Sequence, residues 1–524
     1  MDSQKKRKLF RLINPVYPQF NIYSYIAHIT TALGPVCVGT AARELPGWDV
    51  EIIDENNLRR HGPRAKDEGA DHEFLHVERP ADVVGLYGGL TSTIPRLYKI
   101  AKFYQERGVT VIAGGQHFVD DDNDVVENAL ANGIKYLVLG EAEETIQELL
   151  PALEHGSDLK NIKGLAYIEN GKLIRTAPRT PVVDFDRWPL PDFSLVRYSN
   201  ITLYPVGRIR GCGMDCEFCT VKGKIRLASP ERLFEHIRIL VETRDASHFF
   251  IVDDLFGQQR GETIRFCNML RDYQREIGVR LDITAQIRLD KAKDTELLAA
   301  MREAAINTVA IGFESPIEEE LVAMKKSIRP QDMVAWARVF HKFGFLVHGM
   351  FIFGYPMKNG VEFKMPAAER VQRFKKFIND AKIDTVQLLL PVPLPGTELT
   401  KRLVAENRVY SRDIIGWQYY DGNFPLFNPD LPLTSEEMQL SLRKIMGKFY
   451  RSRYMFALGL HIFLFPSMIF WLHNIKSGWR RWYRNWRNAW VRFAGWMILR
   501  GWTKQLKQGD FSDKLKSAED KLRK

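Results

Sequence analysis

The sequence predicts an α/β protein with two sheets of parallel strands, followed by a helical tail. Apolar, strand-like runs alternate with helical periodicity over residues 9–153, and a second alternation covers residues 201–399. A proline-rich stretch separates the two. Alternation of this kind gives parallel sheets with right-handed crossovers. The expected units are a first domain at 1–155, a linker at 156–198, a second domain at 199–400, a capping segment at 401–450 and a tail at 451–524.

The first domain is expected to be an open, Rossmann-like sheet. Its predicted strands are residues 9–14, 48–54, 82–87, 109–115 and 135–140. Such sheets bind ligands beyond the carboxyl ends of their strands. Glycines at these ends allow a large flat ligand to approach the backbone, and hydroxyls can donate hydrogen bonds. Taken alone, the residues indicate only a general ligand-binding scaffold. The candidate binding residues are Thr91, Ser92, Gly114, Gly115, Gln116, His117, Gly140 and Glu141.

The second domain is expected to be a partial (β/α)6 barrel. Its predicted strands are residues 201–208, 248–252, 281–285, 308–311, 347–353 and 385–390. Barrel enzymes keep their chemistry at the carboxyl ends of the strands. The candidate residues near those ends are Asp253, Asp254, Gln286, Arg288, Gly312, Glu314 and Ser315. The two aspartates are interpreted either as functional groups or as a helix N-cap with a solvated neighbour.

Cys212, Cys216 and Cys219 stand close together in a chain with only two other cysteines. A C-x3-C-x2-C triplet offers three thiolates to a cubane iron-sulfur cluster and leaves one iron open to another ligand. A zinc site would need a fourth ligand, and no partner pair follows. A disulfide framework is typical of short secreted chains, and no apolar signal segment begins this chain. The spacing favours the cluster, with zinc or reactive thiols as alternatives.

This cysteine loop follows the first predicted barrel strand, and the sequence there resembles the radical S-adenosylmethionine (SAM) enzymes. Phe218 matches the aromatic residue that precedes the last cysteine in that family. The resemblance implies that the three cysteines hold a 4Fe-4S cluster, that SAM binds the open iron, and that the reduced cluster cleaves SAM to a 5′-deoxyadenosyl radical. It implies cofactor-binding roles around SAM for Phe218, Gln286, Arg288, Gly312, Glu314 and Ser315. Asp253 and Asp254 are the candidate catalytic residues.

The span up to about residue 450 resembles the cobalamin-binding branch of that family, which includes radical SAM methylases and related cyclases. Residues 114–117 (GGQH) and 140–143 (GEAE) match stretches at the strand ends of its cobalamin domains. The resemblance therefore implies bound cobalamin at this edge. The motif D-x-H-x-x-G, which supplies a lower cobalt ligand in other members, is absent. His117 is expected to be a hydrogen-bonding loop residue, although a role as cobalt ligand stays open.

The tail carries most of the excess positive charge. Nine Lys and Arg residues lie between positions 473 and 509 without any Asp or Glu, against a net charge of +11 for the chain. Residues 454–472 form a nineteen-residue apolar run broken by a proline, which favours a surface-lying or re-entrant segment over a full span. A stripe of aromatic residues and one methionine, flanked by arginines, predicts an interfacial helix. Its members are Trp479, Trp482, Trp486, Trp490, Phe493 and Met497.

The tail raises two other possibilities. Nucleic-acid binding is possible but less favoured, so no nucleic-acid partner is expected. A buried packing helix is disfavoured because its arginines would lack acidic partners.

The expected function is a membrane-associated radical SAM enzyme that methylates an unactivated carbon of a lipid or isoprenoid-like substrate, with 4Fe-4S, SAM and cobalamin as cofactors. Its expected location is the cytoplasmic face of the membrane, peripheral or monotopic, and its expected electron donor is a low-potential protein such as flavodoxin or ferredoxin. Cyclisation or oxidation without methyl transfer is the nearest alternative. Methylthiotransfer is disfavoured, because it usually requires three further cysteines in the N-terminal domain and this domain does not provide them. A redox or binding module without SAM chemistry is the remaining alternative.

Overall fold

The computed structural model describes residues 7–66, 68–119, 122–326, 328–463 and 476–523. The N-terminal part contains the predicted alternation of strands and helices. Its elements are β1 Lys8–Asn14, α1 Ser24–Ala27, α2 Leu33–Arg43, β2 Trp48–Asp54, α3 His72–Glu78, β3 Val83–Tyr87, α4 Ile94–Gln105, β4 Thr110–Gly114, α5 Asn123–Ala131, β5 Tyr136–Val138 and α6 Glu143–His155.

The five strands form the predicted open parallel sheet, in the order β2-β1-β3-β4-β5. The order reverses between β1 and β3, which is where sheets of this type bind ligands. Helix α3 was not predicted because its seven residues are mostly polar or charged. It begins after Asp71, whose side chain accepts a hydrogen bond from the backbone N–H of Phe74 and so caps the helix.

Three short strands from the predicted linker extend this sheet. They are β6 Leu165–Glu169, β7 Lys172–Arg175 and β8 Val196–Arg197. Strands β6 and β7 continue the sheet beyond β5 in antiparallel orientation, and β8 pairs with β2 at the opposite edge. The linker therefore contributes both edges of the N-terminal sheet.

The interior of this sheet contains a buried ion pair. The Arg11 guanidinium donates from Nε to Glu51 Oε1 at 2.6 Å, and neither side chain is exposed to solvent by more than 1%. Arg11 also donates to the carbonyl oxygens of Leu75 and Arg79. Removing one partner of a buried pair leaves an uncompensated charge and typically costs about 3–5 kcal/mol. The pair therefore ties β1 and β2 to the end of α3.

The second part contains the predicted six-stranded parallel sheet, in the order β16-β15-β14-β13-β12-β9. Strands β10 and β11 form a separate antiparallel pair beside it. The elements are β9 Tyr204–Val206, β10 Ile209–Arg210, β11 Arg226–Leu227, α7 Pro230–Arg244, β12 His248–Phe256, α8 Arg260–Ile277, β13 Asp282–Ile287, α9 Thr295–Glu303, β14 Ile306–Glu314, α10 Glu318–Ala323, α11 Pro330–Lys342, β15 Leu346–Ile352, α12 Ala367–Asp380, β16 Thr385–Leu389 and α13 Glu398–Ala405.

Side chains along each barrel strand point alternately to an outer face and an inner face of the sheet. Phe351 of β15 packs against Phe374 and Phe377 of α12, with ring centroids 6.1 and 5.9 Å apart. Because successive side chains of a strand point to opposite faces, His348 and Met350 face the barrel interior. The outer face is thus the packed core under the helices, and the inner face is left for ligands.

A segment of the N-terminal domain bridges the two edge strands of the partial barrel. The Gln387 amide on β16 donates to the Tyr23 hydroxyl at 2.5 Å. The backbone N–H groups of Thr202 and Leu203, just before β9, donate to the Ile29 carbonyl at 3.0 and 2.9 Å. Residues 23–29 therefore connect both edges of the barrel sheet and join the two domains.

The C-terminal part consists of helices. They are α14 Arg412–Ile415, α15 Ser435–Phe449, α16 Arg453–Phe463, α17 Lys476–Gln508 and α18 Phe511–Arg523. Within the described ranges, no helix combines the length and the apolar character needed to cross a bilayer. The predicted apolar run at 454–472 is described only up to residue 463, and its remainder lies outside the described residues.

Helix α17 packs against the barrel, and this corrects one premise of the sequence analysis. Arg487 pairs with Asp282, the first residue of β13, at 3.2 Å. Arg492 donates to the backbone carbonyl of Ile383 at 3.0 Å and to the Tyr454 hydroxyl at 2.9 Å. The expectation that packing would leave these arginines unpaired was wrong, because acceptors come from the amino-terminal ends of the barrel strands and from α16.

Candidate functional site

The loop between β10 and β11 carries the three cysteines. Cys216 is buried, Cys212 and Cys219 are half-buried, and all three thiols are free. Burial raises the pKa of the Cys216 and Cys219 thiols, and the negative charge that Cys212 would carry as a thiolate raises both further. The Val221 N–H donates to Cys219 Sγ at 3.4 Å. Three neighbouring thiols with an N–H···S hydrogen bond are a donor set that fits the predicted iron-sulfur cluster.

Glu217, inside the cysteine motif, anchors the loop to the barrel. Its carboxylate accepts hydrogen bonds from Arg402 Nε at 2.8 Å and from the Tyr355 hydroxyl at 2.7 Å. Burial raises the pKa of Glu217, but the hydrogen bonds from these two donors outweigh burial and hold the pKa below its ordinary value. Its backbone N–H donates to the Met324 carbonyl, and its carbonyl accepts from the Leu399 N–H. Sequence reasoning missed this anchor because its partners are distant in the chain.

Asp253 and Asp254, the predicted catalytic pair, brace the strand that leads into the cysteine loop. Asp253 Oδ1 accepts from the N–H groups of Arg208 and Ile209 at 2.6 and 2.9 Å. Asp254 Oδ2 accepts from the Gly211 N–H at 2.6 Å. The N-cap interpretation was wrong, because both residues lie inside β12 and α8 begins only at Arg260.

The environment of Asp253 differs from that of its neighbour. It is buried, and its Oδ2 has no hydrogen-bond partner among the described atoms. Burial raises the pKa of Asp253 to about 7. Asp254 is half-buried and borders the cavity between the domains. These contacts give both residues a positioning role, and catalysis by either stays a prediction.

Three of the six residues predicted around SAM lie in or beside the cysteine loop: Phe218, which belongs to the loop, Arg288 and Glu314. Arg288 pairs with Asp290 at 2.8 Å, and its NH1 lies 2.8 Å from the sulfur of Met214. Glu314 pairs with Lys326 at 2.9 Å. Both are close enough to affect the Cys216 thiol: the charge of Lys326 lowers its pKa and that of Glu314 raises it.

The other three predicted SAM residues differ in their surroundings. Gly312 precedes Glu314 on β14, and Gln286 occupies the inner face of β13 with no hydrogen bond among the described residues. Ser315 is fully buried, accepts from the Ile317 N–H and donates to Glu320. It therefore holds the start of α10 rather than facing the loop.

A cavity of about 1060 Å³ lies between the two domains. The carboxyl end of the N-terminal sheet forms one wall, and the cysteine loop with β10 and β12 forms another. Five of the predicted N-terminal residues border it, together with Asp254 and Cys219; the five are Gly114, Gly115, Gln116, Gly140 and Glu141. One space thus joins the predicted cobalamin edge to the cysteine loop.

The six residues predicted around SAM do not line this cavity, and neither do Thr91, Ser92 and His117. The His117 ring nitrogen Nδ1 lies 3.3 Å from the Thr91 hydroxyl, and its ring packs edge-on against Trp417 at 4.9 Å. Burial lowers the pKa of His117 to about 3. These contacts agree with the hydrogen-bonding histidine expected from the sequence. Phe218 packs edge-on against Tyr355.

Gly115 explains why this edge is rich in glycine. Its φ is +126°, and a Cβ built there would lie 2.7 Å from the backbone carbon of Gly88. Only glycine meets both conditions. Gly140 has a φ of +87° and no atom within 4 Å of a built Cβ. The edge therefore leaves bare backbone beside the cavity, which fits a large planar cofactor.

Two ion pairs connect this edge to the barrel. Arg226 on β11 makes a bidentate contact with Glu141, at 2.8 Å to Oε2 and 2.7 Å to Oε1. Arg210, two residues before Cys212, pairs with Glu143 and lies 3.3 Å from Glu141. Glu141 was predicted to bind the cofactor, and here its carboxylate holds the two domains together. No sequence signal marked Arg210 or Arg226, because their partners belong to another domain.

The fold and this shared cavity define the class of protein: a cobalamin-dependent radical SAM protein. The chain matches the B12 binding domain over residues 23–150 and the Radical SAM superfamily over residues 206–404. It belongs to the cobalamin-binding radical SAM family. Its cofactors are a 4Fe-4S cluster, SAM and cobalamin.

The chain is similar to two relatives in sequence and to a solved structure in fold. An uncharacterized methyltransferase of Pyrococcus horikoshii is 29% identical over 69% of this chain and 78% of its own. The hopanoid C-2 methylase of Rhodopseudomonas palustris is 26% identical over 53% of this chain and 50% of its own. The structure of OxsB, a cobalamin-dependent SAM radical enzyme with aqua-cobalamin bound, aligns with a TM-score of 0.63 at 13% identity, over 99% of this chain and 84% of that chain. This structural likeness concerns the fold alone.

Proposed function

We propose that this protein is a cobalamin-dependent radical SAM methyltransferase that methylates an unactivated carbon of a lipid or isoprenoid-like substrate. The observation that carries the proposal is the single cavity that borders both Cys219 and the glycine edge of the N-terminal sheet. When bound, the reduced cluster and SAM supply a radical that removes a hydrogen atom, and methylcobalamin supplies the methyl group. The radical and the methyl group must reach the same carbon, so the two cofactor sites must open into one enclosed space.

The residues of the chain have positioning roles in this proposal. Cys212, Cys216 and Cys219 hold the cluster, and Glu217 fixes their loop against the barrel through Arg402. The ion pair of Glu141 with Arg226 keeps the two domain edges at a constant separation. Walls contributed by two domains also exclude water, which limits side reactions of reactive intermediates.

The substrate class is supported by the relatives and by the shape of the site. One relative carries the name hopanoid C-2 methylase, and hopanoids are lipids. The wall formed by α2 presents apolar side chains such as Leu33 and Val38 to the cavity. A hydrophobic substrate matches such a wall because its burial there removes apolar surface from water. Location at the cytoplasmic face of the membrane, and reduction by a flavodoxin or ferredoxin, remain part of the proposal.

The test is an anaerobic assay of the full chain with reconstituted cofactors, a low-potential reductant and total membrane lipid. We expect 5′-deoxyadenosine and S-adenosylhomocysteine to form together, because one SAM supplies the radical and another restores the methyl group. The matched controls are Cys216→Ala, which should abolish both products, and Cys267→Ala, which changes a buried cysteine of α8 away from the site. Formation of 5′-deoxyadenosine alone would favour cyclisation or oxidation. Absence of both, with intact cluster, would favour a redox module.

A further inference from the structure

A cluster of four positive side chains lies on the outer surface of the barrel, outside the segment 473–509 to which the sequence analysis assigned the excess charge. Lys375 is on α12, Lys444 and Lys448 are on α15, and Arg451 follows α15. Among the described residues, no acidic side chain forms a salt bridge with any of the four. Helices α12 and α15 pack against each other, and Arg451 donates to the Lys448 carbonyl at 2.7 Å, which brings the four together. In agreement, burial and the charges of Lys448, Lys444 and Arg451 lower the pKa of Lys375. We call them the basic cluster.

Exposed apolar side chains follow the basic cluster in the chain. They lie on α16 and α17, which pack against each other, and are between 45% and 73% exposed: Met455, Phe456, Leu460, Trp490 and Met497. Trp490 and Met497 are two turns apart and so share one side of α17. That side is opposite to the one that carries Asn488 and Arg492 to the barrel. We call these five residues the apolar set.

Both groups belong to the amino-terminal end of the barrel strands. Asn488 donates to Asp384, immediately before β16, and the Tyr450 hydroxyl at the end of α15 bonds to the backbone of Val386. The cysteine loop follows the carboxyl end of β9. Because all strands of this sheet are parallel, the two sites occupy opposite ends of the barrel.

We propose that the basic cluster and the apolar set together form a docking face for an anionic phospholipid bilayer. Lysine and arginine attract anionic headgroups, and tryptophan, phenylalanine and methionine enter the boundary between headgroups and acyl chains. The unpaired charge is complementary to such a surface. The inference deepens the proposed function and rests on it for the identity of the partner. It adds that docking uses the barrel itself, at the end away from the cavity.

Vesicle co-sedimentation of the full-length protein tests the face without SAM or reductant. We expect binding to vesicles of phosphatidylglycerol and phosphatidylcholine, weaker binding to phosphatidylcholine alone, and release by salt. The double variant Lys444→Glu/Lys448→Glu should bind about tenfold or more weakly to the anionic vesicles. The matched control is Lys99→Glu/Lys102→Glu, which makes the same charge change on exposed residues of α4 and should bind as the wild type does. Phe456→Ser should lower the fraction that stays bound at high salt.

The outcomes separate this inference from the proposed function. Equal binding by both double variants, or no sedimentation of the wild type, would overturn the docking face even if methylation occurs. Binding of duplex DNA with the same dependence on Lys444 and Lys448, without vesicle binding, would instead assign the face to nucleic acid. SAM cleavage in detergent should be the same in wild type and Lys444→Glu/Lys448→Glu, since the cavity is at the other end. If the double variant cleaves SAM more slowly than the wild type, its fold is disturbed. Its weaker vesicle binding would then indicate a structural role of the two lysines and overturn their role in docking.

Discussion

The carboxylate of Glu217, which directly follows the second cysteine of the motif, accepts hydrogen bonds from Arg402 of α13 at 2.8 and 3.1 Å. The guanidinium also donates to the carbonyl oxygens of Pro356 and Met357, after β15. One side chain thus links the cysteine loop to two later segments of the barrel. The loop has little regular structure of its own, so such links determine where its sulfurs lie.

Arg402→Ala should destabilise the protein by about 3 kcal/mol, because it leaves the buried Glu217 carboxylate without its cationic partner. Iron retained per chain after reconstitution should fall as well. Thermal unfolding and iron analysis measure the two effects. The control is Arg265→Ala, which removes an arginine from an exposed pair with Glu231 and should cost less than about 1 kcal/mol. Equal iron content in both variants would show that Glu217 does not position the loop.

Arg226→Ala should loosen the contact between the domains. The bidentate pair with Glu141 is largely screened from solvent, so its loss should cost about 2 kcal/mol and speed protease cleavage of the linker. Iron content should stay near that of the wild type, since the cysteines do not depend on this pair. Arg187→Ala is the control, because Arg187 pairs with Glu144 at the exposed surface of the same linker. Cleavage at the same rate in both variants would contradict a bridging role.

Asp253 should make stability depend on pH. Its folded pKa of about 7 exceeds the ordinary value of about 4, so the unfolded carboxyl ionises at lower pH than the folded one. Stability is therefore lost as pH rises from about 4 to about 7, and the loss is constant above that. Asp253→Asn removes this ionisation. Its unfolding free energy relative to the wild type should rise by about 2–3 kcal/mol between pH 5 and pH 8, measured by urea denaturation. A difference that is independent of pH would refute the assignment.

Gly115→Ala should both destabilise the N-terminal domain and reduce its retention of cobalamin. A methyl group there meets the backbone of Gly88 at 2.7 Å in a conformation that favours glycine, and the combined cost is about 2–4 kcal/mol. Gly140→Ala is the matched control, with a positive φ but no neighbouring atom within 4 Å. It should cost about 1 kcal/mol. Visible absorption after gel filtration measures the cobalamin that is retained, and equal losses in the two variants would exclude the steric explanation.

Several features of the site could be predicted from local patterns. The spacing of Cys212, Cys216 and Cys219 predicted the cluster loop, because three thiols this close in the chain can ligate one cluster. The glycines at 114, 115 and 140 identified the cavity edge, because strand ends at a sheet edge are set by the alternation of elements. The boundaries of β2 matched the predicted residues 48–54, because their strand-like hydrophobic alternation is strong.

Other features depend on contacts between distant parts of the chain. Sequence reasoning assigned Asp253 and Asp254 to catalysis or to an N-cap. The structure excludes the N-cap and shows that both hold the backbone before the cysteine loop, while catalysis stays a prediction. Sequence reasoning also assigned Glu141 to the cofactor, whereas Arg226 from the other domain binds its carboxylate. A carboxylate has the same local pattern in each of these roles, and only the neighbour decides between them.

The sequence by itself determined the two sheets, the thiol triplet and the glycine edge, because periodicity and spacing act over a few residues. The tertiary structure decided how these parts are held: Glu217 by Arg402, Glu141 by Arg226, and α17 against the amino-terminal ends of the barrel strands. The physical reason is that the strength of an ion pair or hydrogen bond depends on distance and burial in space. Both arise only when the chain has folded.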